Sequence, residues 1–269
     1  MKVGAYTWQV QQLGSESEFW ARLEAVGVEA ERLGLEHVVL PESIVLELAS
    51  LFPELAGPEL VARLSEFASE FRVRAVELSA RHGFSLVAGS HFELSDGEVR
   101  NTSLFIREGV VTEQSKNAMT QFEKVEWGVR GGSGLSVSQE MATLICYDCE
   151  FPAAARIVSE EGALVINVPA FTETRRGFQR VRWCAQARAI ENQVFVIHAS
   201  LTGGLGREPV PSTYGTSAIL CPSVTPFPES AILAESQTGF AVAELDFNVL
   251  LACREQDDVR NWHDRQVFD

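Results

Sequence analysis

The chain has 269 residues, of which 46% are hydrophobic, and this is enough apolar material for a sizeable core. The formal net charge of −15 disfavours binding to nucleic acid or to an anionic membrane surface, and no apolar run approaches the length of a membrane span. Five cysteines without a regular spacing and the lack of a secretory signal predict free thiols in a reducing, cytoplasmic setting.

The predicted elements alternate between strands and helices, which indicates one α/β domain over residues 1–269. The first element is a strand at residues 3–10. A capping box, Ser15 to Glu18, then predicts a helix that ends at Gly34. A short buried strand at 37–40 follows, and a long helix is predicted from Pro58 to a stop at Gly83.

The second half of the chain continues the alternation. Asp96-Gly97 predicts a hairpin turn, and Pro152 predicts the start of a short helix. A polar tail at 257–269 is expected to wrap the surface or a partner subunit. The other predicted elements are strands at 84–88, 102–106, 141–145, 163–168, 194–198, 216–220 and 240–245, and a helix at 177–191.

Cys146 ends an apolar run and is followed by a polar turn and then by the Pro152 helix. A thiol at a strand-to-helix turn lies near backbone N–H groups and the positive end of a helix dipole. That setting favours the thiolate, which is the form that attacks carbon. A free cysteine is more often a small buried hydrophobe, and this alternative stays open from the segment alone.

A cysteine nucleophile also needs a base to take its proton and a positive group to stabilise an oxyanion. The pattern singles out none of the five histidines, which are His37, His82, His91, His198 and His263. Glu42 directly follows the predicted strand at 37–40, where sites of α/β proteins commonly form, although a solvated loop glutamate is the alternative. Lys116, by its residue type alone, is indistinguishable from a surface lysine.

Taken together, Pro41-Glu42, Lys116, Cys146-Tyr147-Asp148 and Phe151-Pro152 resemble the Glu–Lys–Cys arrangement of the nitrilase superfamily of carbon–nitrogen hydrolases, in an amidohydrolase-like branch. Glu123, seven residues after the lysine, is similar to the second glutamate of that family. The resemblance implies a four-layer α-β-β-α sandwich that pairs through a helical face into at least a homodimer. It implies no cofactor and no metal.

The resemblance also implies a reaction, the hydrolysis of a non-peptide C–N bond in a small linear amide through a Cys146 thioester. Glu42 would be the base, Lys116 and the backbone N–H of Tyr147 the oxyanion donors, and Glu123 would orient Lys116 or the water. The products would be an acid and ammonia or an amine. Acyl transfer to an amine and nitrile hydrolysis remain alternatives.

Adjacency to these positions suggests Glu150, Phe151 and Phe171 as substrate-binding residues. Arg175, which follows the predicted strand at 163–168, is a candidate for binding a substrate carboxylate, with a solvated loop as the alternative.

The Cys146–Cys149 spacing also fits a thiol–disulfide redox motif. Such domains are much shorter, and the redox reading leaves Glu42 and Lys116 unexplained. No second pair of ligands has a spacing suited to zinc.

Overall fold

The computed structural model describes residues 1–268, and within them the chain forms thirteen strands and seven α-helices. The strands are β1 (Lys2–Val10), β2 (His37–Val39), β3 (Ser85–Val87), β4 (His91–Ser95), β5 (Glu98–Arg107), β6 (Val110–Ser115), β7 (Val137–Ser138), β8 (Met141–Thr143), β9 (Val165–Ala170), β10 (Phe195–Gly203), β11 (Ser217–Leu220), β12 (Ile232–Ser236) and β13 (Gly239–Glu244). The helices are α1 (Glu16–Leu33), α2 (Gly57–Ser65), α3 (Ala68–His82), α4 (Gln121–Val125), α5 (Pro152–Glu160), α6 (Arg175–Asn192) and α7 (Phe247–Gln256). Short 3₁₀ helices occupy Ile44–Leu51, Cys146–Glu150 and Arg265–Phe268.

Strand β1 joins the two halves of the sheet. Its first residues pair with β2 in parallel and with β13 in antiparallel orientation, while Trp8 to Val10 pair with β10 in parallel. The first half-sheet continues from β2 through β3 and β5 to β4, and the second from β10 through β9 and β8 to β7. Because β2, β1, β10, β9 and β8 are successive parallel neighbours, their carboxyl ends meet at one edge of the fold.

Three apolar clusters separate four layers of structure. Successive side chains of a strand point to opposite faces, so Val38 packs against α1, α2 and α3 while Val39 lies between the two half-sheets. On the other half-sheet, Val165 contributes to the same central cluster and Ile166 packs beneath α5 and α6. The predicted α-β-β-α sandwich is therefore confirmed, whereas pairing through a helical face stays a prediction.

A buried polar contact ties the two half-sheets together at the central cluster. His37 of β2 has its Nε2 2.9 Å from Oδ1 of Asn167 in β9, and its Nδ1 lies 2.9 Å from Ser85 Oγ. Burial lowers the pKa of His37 to about 4, because the charged imidazolium would lose its hydration. His37 is therefore neutral at neutral pH, and both of its ring nitrogens have partners.

The predicted elements are present with shifted ends, but two details of the N-terminal half are wrong. The helix predicted from Pro58 to Gly83 is divided into α2 and α3. At the break, the Ser65 hydroxyl donates to the Ala62 carbonyl and so competes with the helical backbone hydrogen bonds. The Ser15 side chain does not cap α1, because its hydroxyl contacts Ser17 instead.

Five strands and helices were not predicted, namely β6, β7, β12, α4 and α7. The polar tail packs on its own chain, where the backbone N–H of Trp262 donates to Gln193 Oε1 at 3.0 Å. The last tail residue, Asp269, lies outside the described part. Among residues 1–268, none of the helices is both long and apolar enough to cross a lipid bilayer.

Candidate active site

The strand ends described above bring distant residues to one cavity. Glu42 follows the end of β2, Cys146 follows β8, and Phe171 directly follows β9. Lys116 directly follows β6, which is held against the same half-sheet as β2. A cavity of about 340 Å³ opens here, and its lining includes Glu42, Lys116, Glu123, Cys146, Tyr147 and Phe171. The structure thus brings all five predicted catalytic residues together.

The Glu42 carboxylate is held by three hydrogen bonds and is only 1% exposed. Its Oε1 accepts from Lys116 Nζ at 2.8 Å and from Asn101 Nδ2 at 2.9 Å, and its Oε2 accepts from the Phe171 backbone N–H at 2.9 Å. The turn at Pro41, which positions Glu42, is in close contact with Gly89, and only a glycine fits there. Gly89 has φ +65°, and a Cβ there would lie 1.9 Å from the Pro41 carbonyl oxygen.

Lys116 lies between two carboxylates and is 2% exposed. Its Nζ donates to Glu42 and, at 2.6 Å, to Oε1 of Glu123. The other oxygen of Glu123 accepts from the backbone N–H and the hydroxyl of Thr120, which form the capping box of α4. An ammonium has three N–H donors, so one remains for a substrate atom.

The charges of this cluster follow from burial and proximity. Burial opposes the ammonium form of Lys116, but the carboxylates of Glu42 and Glu123 outweigh it and raise the pKa of the lysine. Burial raises the pKa of Glu42, and Lys116 offsets only part of that rise. The lysine is therefore charged, and Glu42 has a stronger affinity for a proton than an exposed glutamate.

Cys146 has φ +47°, an unusual value for a residue with a side chain, and it begins a five-residue 3₁₀ turn. Its Sγ donates to the Phe171 carbonyl oxygen at 3.5 Å. The expectation that this turn favours the thiolate is wrong. Burial raises the pKa of the thiol well above its usual value, and the neighbouring Glu42 adds to the rise more than Lys116 lowers it. The resting cysteine is a thiol.

Asp148 secures the lysine segment against the nucleophile turn. Its carboxylate is buried and accepts from the backbone N–H groups of Asn117, at 3.2 Å, and Ala118, at 2.6 Å. Tyr147, as the second residue of the turn, has an amide N–H with no partner inside that turn. Within the turn, this N–H is therefore available to a substrate atom next to the nucleophile.

The candidate substrate-binding residues divide into two groups. Glu150 and Phe171 line the cavity, whereas Phe151 and Arg175 do not. Phe151 packs edge-on against the Tyr147 ring at 5.0 Å and is exposed to solvent. In place of Arg175, the cavity is lined by Arg176 and Arg180 of the same helix.

An ion pair and an aromatic wall complete the cavity. Arg180 Nε lies 2.8 and 2.9 Å from the two carboxylate oxygens of Glu150. The Trp127 ring is stacked with Phe171 at 6.5 Å and meets Phe122 edge-on at 5.3 Å. The cavity wall therefore combines three aromatic rings with several charged groups, which include the Glu150–Arg180 ion pair.

Asn101 and Phe122 are site residues that the sequence reasoning missed. Asn101 is fully buried in β5, although asparagine is depleted in strands. A polar residue inside an otherwise apolar strand is the signal that would have found it. Phe122 directly precedes Glu123 in a helix too short to show an apolar periodicity.

Cys149 does not share the cavity with Cys146. Its side chain is fully buried and its Sγ lies 3.8 Å from the Val181 carbonyl oxygen, under α6. Burial raises the pKa of this thiol as well. Within residues 1–268 all five cysteines are free, and no cluster of side chains has the arrangement of a metal site.

Comparison with known sequences agrees with this geometry. A family model described as carbon-nitrogen hydrolase matches residues 5–255. The chain is 30% identical over 275 residues to the probable hydrolase YhcX of Bacillus subtilis, covering 99% of this chain but 54% of that protein. It is 27% identical over 258 residues to the omega-amidase NIT2 of Xenopus tropicalis, covering 89% and 87% of the two chains. The chain thus spans only about half the length of YhcX.

Comparison with solved structures identifies the same fold. Nit3 of Saccharomyces cerevisiae, described as a member of branch 10 of the nitrilase superfamily, superposes with a TM-score of 0.78. The two chains are 23% identical, and the match covers 96% of this chain and 94% of Nit3. At that identity the likeness concerns the fold alone.

Proposed function

Since this chain belongs to the carbon–nitrogen hydrolase family, we propose that it hydrolyses a small linear amide through a thioester on Cys146. The observation that carries the proposal is the contact between Lys116 Nζ and Glu42 Oε1, at 2.8 Å, in the cavity that also contains the Cys146 sulfur. A base, a cation and a nucleophile within one small enclosure are what acyl transfer from an amide requires.

In the first step, Glu42 takes the proton of Cys146 as the sulfur bonds to the amide carbon. The raised pKa of both groups supports a proton transfer that accompanies attack, rather than a resting thiolate. The electron pair of the carbonyl moves onto its oxygen. The third N–H of Lys116 and the amide N–H of Tyr147 then donate to that oxyanion.

In the second step, the C–N bond breaks and Glu42 returns its proton to the leaving nitrogen, which departs as ammonia or an amine. The acyl group remains on sulfur as a thioester. Glu42, again ionised, takes a proton from water as the water oxygen bonds to the acyl carbon. The C–S bond breaks, the thiol regains its proton and the acid leaves.

Glu123 supports this cycle by holding Lys116 in place. Its Oε1 binds the ammonium while its Oε2 is fixed by Thr120, so Lys116 is directed by two carboxylates rather than one. The lysine therefore keeps its charge and direction while Glu42 gains and loses its proton.

The test is ammonia release from a panel of aliphatic amides, ω-amides of dicarboxylic acids and N-carbamoyl amino acids. We expect at least one class to be turned over, with loss of turnover in Cys146→Ala. Cys149→Ala is the matched control and should retain turnover within about twofold, because its sulfur does not line the cavity. Turnover that survives in Cys146→Ala, or that depends on Cys149, would contradict the proposal.

A further inference from the structure

Glu42, the base of the proposed reaction, accepts a hydrogen bond from Asn101, a residue that has no role in the steps described above. Asn101 in β5 is fully buried, and its Nδ2 donates to Glu42 Oε1 at 2.9 Å. The backbone carbonyl oxygen of Asn101 accepts a hydrogen bond from the backbone N–H of Lys116 at 2.8 Å. One residue of β5 therefore contacts both the side chain of the base and the main chain of the lysine.

The chemistry of the Asn101 amide fixes its orientation. Only the NH₂ group donates, and an amide oxygen 2.9 Å from a carboxylate oxygen would be repelled. Within the described chain, Asn101 Oδ1 is buried and has no hydrogen-bond partner. The residue thus leaves its acceptor unpaired and directs its donor to Glu42, which favours the ionised carboxylate.

The two donors on Oε1 leave the other oxygen of Glu42 to the nucleophile. Oε1 accepts from both Asn101 and Lys116, whereas Oε2 accepts from the Phe171 backbone N–H. The carbonyl of that same Phe171 accepts from the Cys146 sulfur. Glu42 Oε2 and the Cys146 thiol are therefore both hydrogen-bonded to the backbone of Phe171. Oε2 keeps a lone pair that can accept the thiol proton.

We propose that Asn101 is a positioning residue that reserves Glu42 Oε1, so that Oε2 is the atom that receives the Cys146 proton. The inference depends on the proposed function only for the role of Glu42 as the base. Without the Asn101 donor, Glu42 could rotate or bind its proton at Oε1, away from the sulfur.

The charged and titratable groups that face Glu42 are Lys116, Glu123 and Cys146. None of them is altered by a substitution at Asn101. Loss of a hydrogen bond to a carboxylate raises its pKa, since the charged form loses its donor. A bond of this class corresponds to an upward shift of about one to two pH units.

The experiment measures the rate at which iodoacetate, which contains no amide, alkylates Cys146 between about pH 5 and about pH 9. The alkylated peptide is quantified by mass spectrometry. The experiment needs no amide substrate. In the unaltered protein the rate should level off where Glu42 is ionised and fall below that pH, and this inflection is called the acidic limb. Glu42→Gln should remove the inflection and leave a slower rate that rises steadily with pH as the thiolate fraction grows. Asn101→Leu, which has a similar volume and no donor, should move the fall to higher pH by about one to two units.

Asn192→Leu is the matched control. Asn192 is also buried, but its amide donates to the Arg188 carbonyl within α6. It should lower thermal stability without moving the pH dependence of alkylation. If Asn101→Leu does not fold, Asn101→Ala tests the same point, because it removes the donor without adding a titratable group beside Glu42. Its acidic limb should move in the same direction.

An unchanged acidic limb in Asn101→Leu or Asn101→Ala, with the limb still abolished by Glu42→Gln, would overturn the inference. So would a shift of equal size in Asn192→Leu. Failure of the proposed function has a different signature, since a protein that turns over no amide can still show the alkylation limb and its dependence on Asn101.

Discussion

Replacing Lys116 by methionine removes the cation that lies between two buried carboxylates while nearly keeping the side-chain shape. Lys116 donates to Glu42 at 2.8 Å and to Glu123 at 2.6 Å, and all three side chains are less than a tenth exposed. The substitution leaves two carboxylates without their common partner and removes an oxyanion donor. Both stability and turnover should therefore fall.

The magnitude follows from the burial of the cluster. Removal of one partner from a buried ion pair costs about 3–5 kcal/mol, which corresponds to a fall in Tm of roughly 6–20 °C for a chain of this size. Loss of one oxyanion donor lowers kcat by about 10²–10³-fold. Because two carboxylates share Lys116, we expect both effects near the upper ends of these ranges.

The stability loss should depend on pH with a definite sign. Without Lys116, Glu42 loses the cation that partly offsets the effect of burial on its pKa. It therefore binds a proton more tightly in the folded chain than in the unfolded chain, where glutamate titrates near about pH 4.3. Because its folded pKa is raised, the variant is most stable at low pH and loses stability as pH rises. The Tm deficit relative to the unaltered protein should be larger at about pH 8 than at about pH 5.

The assay is thermal unfolding at several pH values together with turnover on the best substrate of the panel. Lys124→Met is the matched control, because Lys124 lies on the exposed side of α4, next to Glu123 in sequence. It should change Tm by no more than about 1 °C. A Lys116→Met protein with the Tm of the control, or with kcat within about twofold of the unaltered protein, would refute the electrostatic account of the cluster.

Three further predictions concern the surroundings of the cluster. Glu123→Gln should lower kcat by about tenfold to a hundredfold in steady-state assays while the protein stays folded, because Lys116 keeps one carboxylate and loses the other; an unchanged kcat would count against the orienting role. Asp148→Asn should lower the free energy of unfolding by about 2 kcal/mol in urea titrations, since the carboxylate bonds to two backbone N–H groups after Lys116; equal stability would show that the anchor is unimportant. Stability should fall as pH drops from about 6.5 towards about 4, because the unfolded chain binds a proton at His37 that the folded chain, with a pKa of about 4, resists. This contribution is about 3 kcal/mol, and His37→Gln should flatten the pH profile by that amount in chemical unfolding.

The candidate nucleophile, base and lysine were predicted from the resemblance of three short segments taken together, because Lys116 alone shows no local signal. Cys146 with the turn after it and Glu42 after Pro41 are candidates without knowledge of the fold. Their distances are not, since Glu42 and Lys116 are separated by 74 residues. Those distances come from the order of parallel strands in the sheet.

Asn101 was not predicted because its contact with Glu42 joins two residues that are 59 positions apart in the sequence. The strand was also expected to begin at residue 102, and asparagine is a poor strand former. The ionisation of Cys146 was predicted wrongly because the local turn suggests a thiolate, whereas burial by distant elements decides the pKa. Helix α7 did carry a local signal, since Asp246 caps it through the N–H groups of Asn248 and Val249.

The central claim is that the acyl group of an amide passes through the Cys146 sulfur, and intact-protein mass spectrometry of acid-quenched turnover mixtures tests it most directly. The account predicts a mass increase equal to the acyl group, mapped to the peptide that contains Cys146, and no such increase in Cys146→Ala. Amide hydrolysis that proceeds with every acyl adduct on another residue, or unabated in Cys146→Ala, would contradict it.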